Sequence, residues 1–472
     1  MGMGTRMLRR RRGVVSYRER RGAHRHLGET RRRRSEVIVR SENGKHVYEA
    51  AVRRFLPAGF PQSVSRDYTE WLRLHLASIF VRDVLDVVST QSLLVALGID
   101  VKMAGGAGGD TATTALALGA AAKWVLKDGL GSFAVLVAGG ALGSRVDEEP
   151  RKYWAGAALG EDFAKLLELV TPVMPSLFLP LAATASVVGG LAVVTRTALL
   201  ATFVNHVATK SNSGDVRARL EVQGRVLKLI ALPAGIALFR VAGETIEGAR
   251  LAAEVGGSGG GSDAANGALF VVASLYLSLI AAHNVLCRRA VSVLAFDTLT
   301  RGRLLRLADD FLAKNGSSVM SPEEMAREGG GGEGKWLRED EREPPLLGVP
   351  CGDDTSRIFD NEVLDMAAEV HASDSFLVAT ERDGTVRVLV DESACDADLV
   401  RSALNAVMLQ RALLHTSAVT RDVLLETREG ALTSANDFTS ACLACGWRVD
   451  VVLGGSLSSV RLRTLVESKS AR

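Results

Sequence analysis

Two uncharged runs constrain this chain more than any other feature. Leu169–Thr195 carries no charged residue over 27 positions, and Ala264–Cys287 carries none over 24. A membrane-spanning helix needs about 20 apolar residues, so both are long enough to cross a bilayer. Pro172, Pro175 and Pro180 interrupt the first half of the first run, and Gly189-Gly190 loosens its second half. The second run is cleaner and ends at Arg288-Arg289, as a cytosol-facing flank would. Leu229–Phe239 is apolar but too short to span alone. Buried helices of a large soluble α-domain share this composition, so a soluble reading stays open beside the membrane one. A mean hydropathy of +0.14 is slightly above that of ordinary soluble proteins and well below that of a polytopic carrier.

A chain of 472 residues exceeds one compact core, and its charge is unevenly placed. Residues 1–40 hold fourteen arginines against Glu19, Glu29 and Glu36, about +11, whereas the whole chain sums to +3. Such a block reads as a disordered tail, here 1–45. It is rich in Arg like a transit segment, yet poor in Ser and not free of acid, so an organellar address stays open. Few aromatics lie between the arginines, and no nucleic-acid partner is expected. From Val64 to Leu97 apolar residues recur at helical spacing, with Asp67 placed where the helix dipole favours a carboxylate. Pro57 and Pro61 hold the preceding segment extended, and Gly59 relaxes the bend. The glycines of 103–114 read as a flexible link ending at an Asp110 cap, because no Gly-Lys-Ser/Thr closes a phosphate loop. An Ala-rich helix to about Leu126 and an apolar run Gly129–Ser144 follow, and 254–267 is a Gly/Ser loop.

The expected fold is mainly α: a membrane-associated multi-helix domain over 50–315, a Gly/acidic linker over 316–345, and a small α+β module over 346–465. In that module FLVAT (376–380) and VRVLV (386–390) flank Asp383-Gly384, a hairpin signal. Helices are expected from about Asp396 to Leu413 and near 434–445, with a strand at 447–453. The five cysteines are scattered, which argues against an extracellular disulfide framework. Cys442 and Cys445 have the CxxC spacing but lie in a helical pattern without a second pair or a His cluster, so they read as ordinary helix residues.

Five segments, in order, resemble the root UVB sensitive (RUS) family. They are FLPAGFPQSVSRDY (55–68), STQSLLVALGI (89–99), WVLKDGLG (124–131), TRTALLATFVNHVATKSNSGDVRA (195–218) and AAHNVLCRRAVSVLAFDTLTRGRL (281–304). The resemblance departs at Lys152-Tyr153-Trp154-Ala155, where the family commonly has Lys-Gln-Trp-Arg. It departs again at Arg219-Leu220-Glu221-Val222-Gln223, where the usual Lys-Asp-Gly-Ser-Gln keeps only a basic residue and the glutamine. The resemblance implies membrane or plastid association and roles in UV-B response, seedling development, auxin distribution and vitamin B6 homeostasis. It also implies a second family member as partner, and no known catalytic activity.

Candidate functional residues, with roles unassigned, are Asp67, Tyr68, Gln91, Lys127, Asp128, Arg196, His206, Asn212 and Asp215. Lys127 and Asp128 interrupt an apolar stretch; as neighbours on a helix they point to different sides and are not expected to pair. Either they mark an anion-binding or conduction position, or the lysine snorkels at a helix end with Asp128-Gly129 forming a turn. Arg196 and His206 stand some 15 Å apart along a helix and cannot touch. Asn212–Asp215 reads as a turn with a capping Asp. No carboxylate pair, Ser/His/Asp order or metal spacing stands out, so no enzyme is expected and no cofactor is assigned. Two functions remain. One is a membrane-associated transporter-like or scaffold protein in contact with lipid. The other is a soluble or peripheral adaptor holding a B6-type phosphate through Lys127 and Arg196, or a partner protein.

Overall fold

A computed structural model describes residues 5–10, 13–18, 54–97, 111–146, 149–255, 261–328, 346–347, 359–391, 394–416 and 418–453. The Asp110 cap, most of the 103–114 link, most of the linker beyond Glu328 and the chain after Leu453 lie outside these residues. Within the stretch read as a disordered tail, β1 (Thr5–Arg10) pairs antiparallel with β2 (Gly13–Arg18), Thr5 opposite Arg18. This hairpin belongs to a unit of its own, Met1–Ala51. The second unit is Val52–Arg472.

Six long helices come first: α1 (Tyr68–Ala96), α2 (Thr111–Val146), α3 (Pro150–Val170), α4 (Phe178–Val207), α5 (Ser213–Val255) and α6 (Gly261–Val293). The three prolines of the first uncharged run fall around the junction of α3 and α4, with a 3-10 turn at Pro175–Leu177, so the apolar helix proper begins at Phe178. Several local stop signals are overridden. α2 runs unbroken through Asp128-Gly129, so no turn forms there, and α5 runs through Pro233, absorbing the short stretch Leu229–Phe239. Of the Gly/Ser loop at 254–267, residues 254–255 and 261–267 are helical, and α6 continues past Arg288-Arg289 to Val293. Glycine inside a helix costs about 1 kcal/mol and proline about 3, sums that packing against a neighbouring helix offsets.

Small residues set how closely these helices cross. A Cβ on Gly131 of α2 would lie 3.0 Å from Ser186 of α4, and one on Gly190 would lie 3.0 Å from Val135. A Cβ on Gly235 of α5 would lie 2.6 Å from Val87 of α1. The bundle core is a chain of rings. Trp71 stacks on His75 at 5.0 Å, His75 meets Trp154 at 5.8 Å, Trp154 meets Phe203 at 4.9 Å, and Phe203 meets Phe296 at 5.7 Å.

Outside this core the helices are greasy. Val125 and Leu136 on α2, Leu229 on α5 and Phe270 on α6 are 70%, 76%, 69% and 72% exposed. Three stretches, Pro175–Val207, Ser213–Leu251 and Asn266–Val293, are long and apolar enough to cross a membrane, and at most 22% of each apolar window is buried within the protein. Large contiguous apolar surface of this kind needs lipid or a partner to cover it.

The second core starts earlier in the chain than the 346–465 module. β3 (Thr298–Thr300) pairs parallel with β7 (Arg448–Leu453). α7 (Arg301–Ala313) and α8 (Pro322–Glu328) bury Leu304, Leu307, Phe311 and Met325 in the same cluster as the C-terminal elements. Those elements are β4 (Leu346–Leu347), α9 (Asn361–Val370), β5 (Phe376–Thr380), β6 (Val386–Val390), α10 (Asp396–His415) and α11 (Arg421–Ala444). The expected hairpin is present, with Thr380 opposite Val386 and Gly384 at φ +88° in the turn, where only glycine is unstrained. β4 adds in parallel to β6. Phe311 and Phe438 meet at 5.2 Å, and Trp447 Nε1 donates to Met320 O at 2.8 Å. Cys442 is a buried helix residue, its thiol pushed up to about 12 by burial, and Cys445 donates to Val319 O.

Candidate functional site

The first and fourth family-like segments meet in space. The elbow at 54–65 turns on Gly59 at φ +79° and is gripped by the first turns of α5. Asp215 accepts from Ala58 N at 2.6 Å, Arg219 donates to Arg54 O at 2.8 Å, and Gln223 Nε2 donates to Phe55 O. Arg219 and Gln223 are the two positions of their block that keep the family pattern, and each holds elbow backbone. Asn212 supplies the backbone carbonyl that opens α5, accepting from Val216 N at 3.0 Å, and Ser213, Gly214 and Asp215 are helical, so the segment read as a turn is the first turn of α5. Asp215 lies inside the helix and caps nothing. Tyr68 is fully buried against Phe60 and Trp71, its phenol pushed up to about 12 by burial and by Asp215.

Asp67 stands at the start of α1 but makes no cap bond there. Its carboxylate is drawn away by better donors: Ser65 Oγ, His206 at 2.9 Å and Ala295 N at 2.9 Å. Burial alone would raise its pKa, and these partners outweigh burial and hold it below the usual carboxylate range. The other ring nitrogen of His206 lies 3.7 Å from Asp297, beyond hydrogen-bond reach, while Asp297 O accepts from Arg448 N at 2.9 Å. His206 therefore stands between the elbow and the strand pair of the second core.

Lys127 and Asp128 do pair, at 2.7 Å, contrary to expectation. The flexible lysine stem bends back over its neighbour, with the ammonium 4.8 Å from the Trp124 ring centre and 3.3 Å from Ser186 Oγ. Gln91 is half-buried near the end of α1, outside both cavities described next.

Two adjoining cavities open along the charged faces of α1 and α3. The first, about 340 Å³, lies between α1, α3, α4 and α5, with His75, Arg82, Trp154, Glu161, Arg196 and Glu221 in its wall. The second, about 830 Å³, lies between α1, α2, α3 and α4, with Asp86, Asp128, Lys165 and Glu168 in its wall. They share Arg82, Asp86, Glu161 and Val193 and so form one groove. It follows α3 from Trp154 to Glu168, about 20 Å of helix. Arg196 lines it and Lys127 does not, so the two are not joined in one anion site.

Several charges in the groove are paired. Arg196 binds Glu161 and lies 4.4 Å over the Trp154 ring. Lys165 bridges Asp86 at 2.8 Å and Glu168 at 3.0 Å; burial would lower its pKa, and the two carboxylates raise it instead. His75 is pushed down to about 3 by burial and by the nearby Arg196 and Arg82, so it stays neutral. Its Nδ1 is buried without a partner.

Behind Arg196 lies a cluster that sequence reasoning missed. His283 Nδ1 is 2.6 Å from Asp162, which also accepts from Asn284 at 3.1 Å. His283 Nε2 is 3.3 Å from Cys287 Sγ, 3.4 Å from Arg196 Nη1 and 3.8 Å from Glu161. Glu161 and Asp162 look in sequence like the solvated face of an amphipathic helix. A signal did exist: His283 and Cys287 share a face at i, i+4 inside an otherwise uncharged run.

Fold and groove together define a mainly helical protein with, among the described residues, three helices of membrane-crossing length, two of which, α4 and α5, help to line a charged groove. The chain belongs to the root UVB sensitive family: the family model described as "Vitamin B6 photo-protection and homoeostasis domain" matches residues 41–315. It is similar to Protein root UVB sensitive 5 of Arabidopsis thaliana, 34% identical over 193 residues, covering 41% of this chain and 37% of that one. Protein root UVB sensitive 2, chloroplastic, from the same plant is 30% identical over 200 residues, 42% of this chain and 43% of that one. Protein root UVB sensitive 3 is 26% identical over 386 residues, 79% of this chain and 78% of that one. The chain thus spans about two fifths of the first two relatives. No solved structure matches it.

Proposed function

We propose that this chain is an integral membrane protein that binds a small polar solute of the vitamin B6 class in the groove and passes it across the bilayer. The observation that carries the reading is the contrast between the exposed apolar side chains of α2, α4 and α6 and the buried charges Asp83, Glu161 and Arg196 between helices. Ionisable side chains at membrane depth face a protein interior or a water-filled cavity, and these three line the groove along α3. The groove follows about 20 Å of α3, against a hydrocarbon core of about 30 Å.

The chemistry of the wall supports the solute class. B6 vitamers are pyridine rings that carry both signs of charge near neutral pH. Trp154 and His75 offer flat faces, and Arg82 and Arg196 stand beside Asp83, Asp86 and Glu161. A wall of mixed sign suits a zwitterionic ring better than a simple anion. The matched family description names vitamin B6, and one relative's name places it in the chloroplast, so we assign an organellar membrane.

Carbonate extraction tests insertion: the chain should stay in the membrane pellet, and release to the supernatant refutes it. Calorimetry of the purified full chain in detergent tests the groove with pyridoxine as probe. Binding should be lost in Arg82→Ala and kept in Lys123→Ala, which alters an exposed residue outside the groove. Equal binding by both variants refutes the site.

A further inference from the structure

Arg196 and His283 compete for one carboxylate. Arg196 Nη1 binds Glu161 and also lies 3.4 Å from His283 Nε2, while that same Nε2 lies 3.8 Å from Glu161. His283 is 1% exposed and both Arg196 and Glu161 are 6% exposed, so water does not stand in for a missing partner. The hydrogen-bond pattern admits two proton counts. Nδ1 faces the acceptor-only Asp162 and carries a hydrogen. With Nε2 bare, it accepts from Arg196 at 3.4 Å and from the Cys287 thiol at 3.3 Å; with Nε2 protonated, it turns its hydrogen to the Cys287 sulfur or to Glu161 at 3.8 Å. The first arrangement is the neutral imidazole.

A proton arriving at Nε2 reverses that pattern. Two donors cannot face each other at 3.4 Å, so Arg196 loses its acceptor on His283 while the imidazolium N–H turns to Glu161. Arg196 then moves toward the first cavity, whose wall it already forms and where the Trp154 ring carries its guanidinium. Within the described cluster Glu161 lines both cavities, so a proton enters from the groove and returns to it through that carboxylate. The remaining charged groups do not duplicate this exchange. On α1, Arg82 is committed to Asp83 at 2.9 Å, and His75 stays neutral. On α3, Lys165 is held by Asp86 and Glu168, and on α5, Glu221 binds Arg225 at 2.9 Å. A structural ion pair needs no second claimant; this pair has one in His283, whose Nε2 lies 3.8 Å from the same carboxylate.

We infer that His283 is the proton-carrying group of the groove, and that passage of solute is coupled to the proton it exchanges with Glu161. This rests on the groove reading above. Protonated His283 frees Arg196 to hold the anionic end of a solute, and loss of the proton returns Arg196 to Glu161 and releases it. Asp162 and Asn284 act as positioning residues, fixing the tautomer that leaves Nε2 open.

The test uses the full chain in lipid vesicles with a trapped pH dye and pyridoxine as probe. With the outside acidic, pyridoxine should accumulate, and the lumen should acidify as it enters. One proton per solute sets the limit at about tenfold accumulation per pH unit, since a pH unit and a tenfold concentration ratio carry the same free energy. Asp162→Asn should lose both the accumulation and the proton flux, and any residual pyridoxine entry should no longer respond to the gradient. If wild-type pyridoxine equilibrates without responding to the gradient, coupling is overturned and the groove reading stands. If no pyridoxine enters under either condition, the groove reading fails and takes coupling with it. If Asp162→Asn accumulates like wild type, His283 is not the proton site. Should the variant not fold, His283→Gln, which carries no titrating proton, is read in its place: accumulation like wild type overturns the assignment, and loss of accumulation with the proton flux supports it.

Discussion

Substituting Gly235 by alanine adds one methyl group where α1 and α5 cross. The new carbon would lie 2.6 Å from Val87 Cβ, 2.9 Å from its Cγ1 and 3.1 Å from Val84 O. Non-bonded carbons settle at roughly 3.5–4.0 Å, so the helices must part by about 1 Å or the valine must leave its rotamer. Such overpacking typically costs about 1–3 kcal/mol. Alanine also gains about 1 kcal/mol of helix propensity over glycine, which would mask part of the loss. Gly243 supplies the control, since it lies on the same helix and a Cβ there meets nothing within 4 Å. Gly243→Ala should therefore stabilise by up to about 1 kcal/mol. The propensity gain is common to both, so the difference between the variants isolates the crossing at about 1–3 kcal/mol. Denaturant-induced unfolding of the full chain in detergent, followed by helical circular dichroism, reads that difference. Equal stability of the two variants would show that α1 and α5 do not meet at Gly235. Because Arg82 and Asp86 lie on the same stretch of α1, Gly235→Ala should also weaken pyridoxine binding, whereas Gly243→Ala should not.

Three further outcomes follow from the packing and electrostatics. Asp67→Ala leaves His206 and Ala295 N without their acceptor and should cost about 2–5 kcal/mol, against less than about 1 kcal/mol for exposed Glu70→Ala; a smaller loss at Asp67 would remove it as the tie between elbow and bundle. Phe438→Ala empties the ring contact with Phe311 and should cost about 3–5 kcal/mol, measured by protection of α10 amides from hydrogen exchange; unchanged protection refutes a core shared by α7 and α11. His75 has a folded pKa of about 3, below its ordinary 6.5, so the unfolded chain binds the extra proton between those values. Its contribution is whole above pH 6.5 and falls as pH drops toward 3, by up to about 1.4 kcal/mol per unit, and His75→Phe should flatten that part of the stability–pH curve. An unchanged slope would mean that His75 reaches solvent.

Where structure is decided locally, the sequence was readable. Asp383-Gly384 between two alternating runs is sufficient for a hairpin, and the start of α1 after two prolines is set by backbone sterics. Readability failed where a distant surface overrules a local signal. Asp128-Gly129 and Pro233 look like helix ends, and the helices continue because neighbouring helices pack along them. The site divides the same way. Asp67, His206 and Asp215 were each singled out, but Asp67 and His206 are 139 residues apart and Ala58 and Asp215 are 157, so nothing local announces their contacts. Glu161, Asp162 and His283 were not singled out, because two resemble a solvated helix face and the third carries no formal charge.

Two of the departures from the family pattern, Leu220 and Glu221, fall on the groove, and this gives a sharp test of what the groove recognises. Of the block Arg219–Gln223, the two positions that keep the pattern, Arg219 and Gln223, hold the elbow, whereas Leu220 and Glu221, where the family commonly has Asp and Gly, line the first cavity. Glu221 adds a negative charge beside Arg217, Arg225 and Lys228 and takes Arg225 as its partner. That charge should weigh against the phosphorylated, more anionic B6 forms and leave pyridoxine little affected. Glu221→Gly restores the commoner pattern and frees Arg225. Since the Glu221–Arg225 pair is solvent-exposed and screened, the expected gain for pyridoxal phosphate relative to pyridoxine is modest, about twofold to fivefold. Calorimetry with both compounds at two salt concentrations checks it, because the preference should shrink as salt rises. A ratio unmoved by the substitution would place the solute away from the α5 wall and confine recognition to Arg82, Glu161 and Arg196.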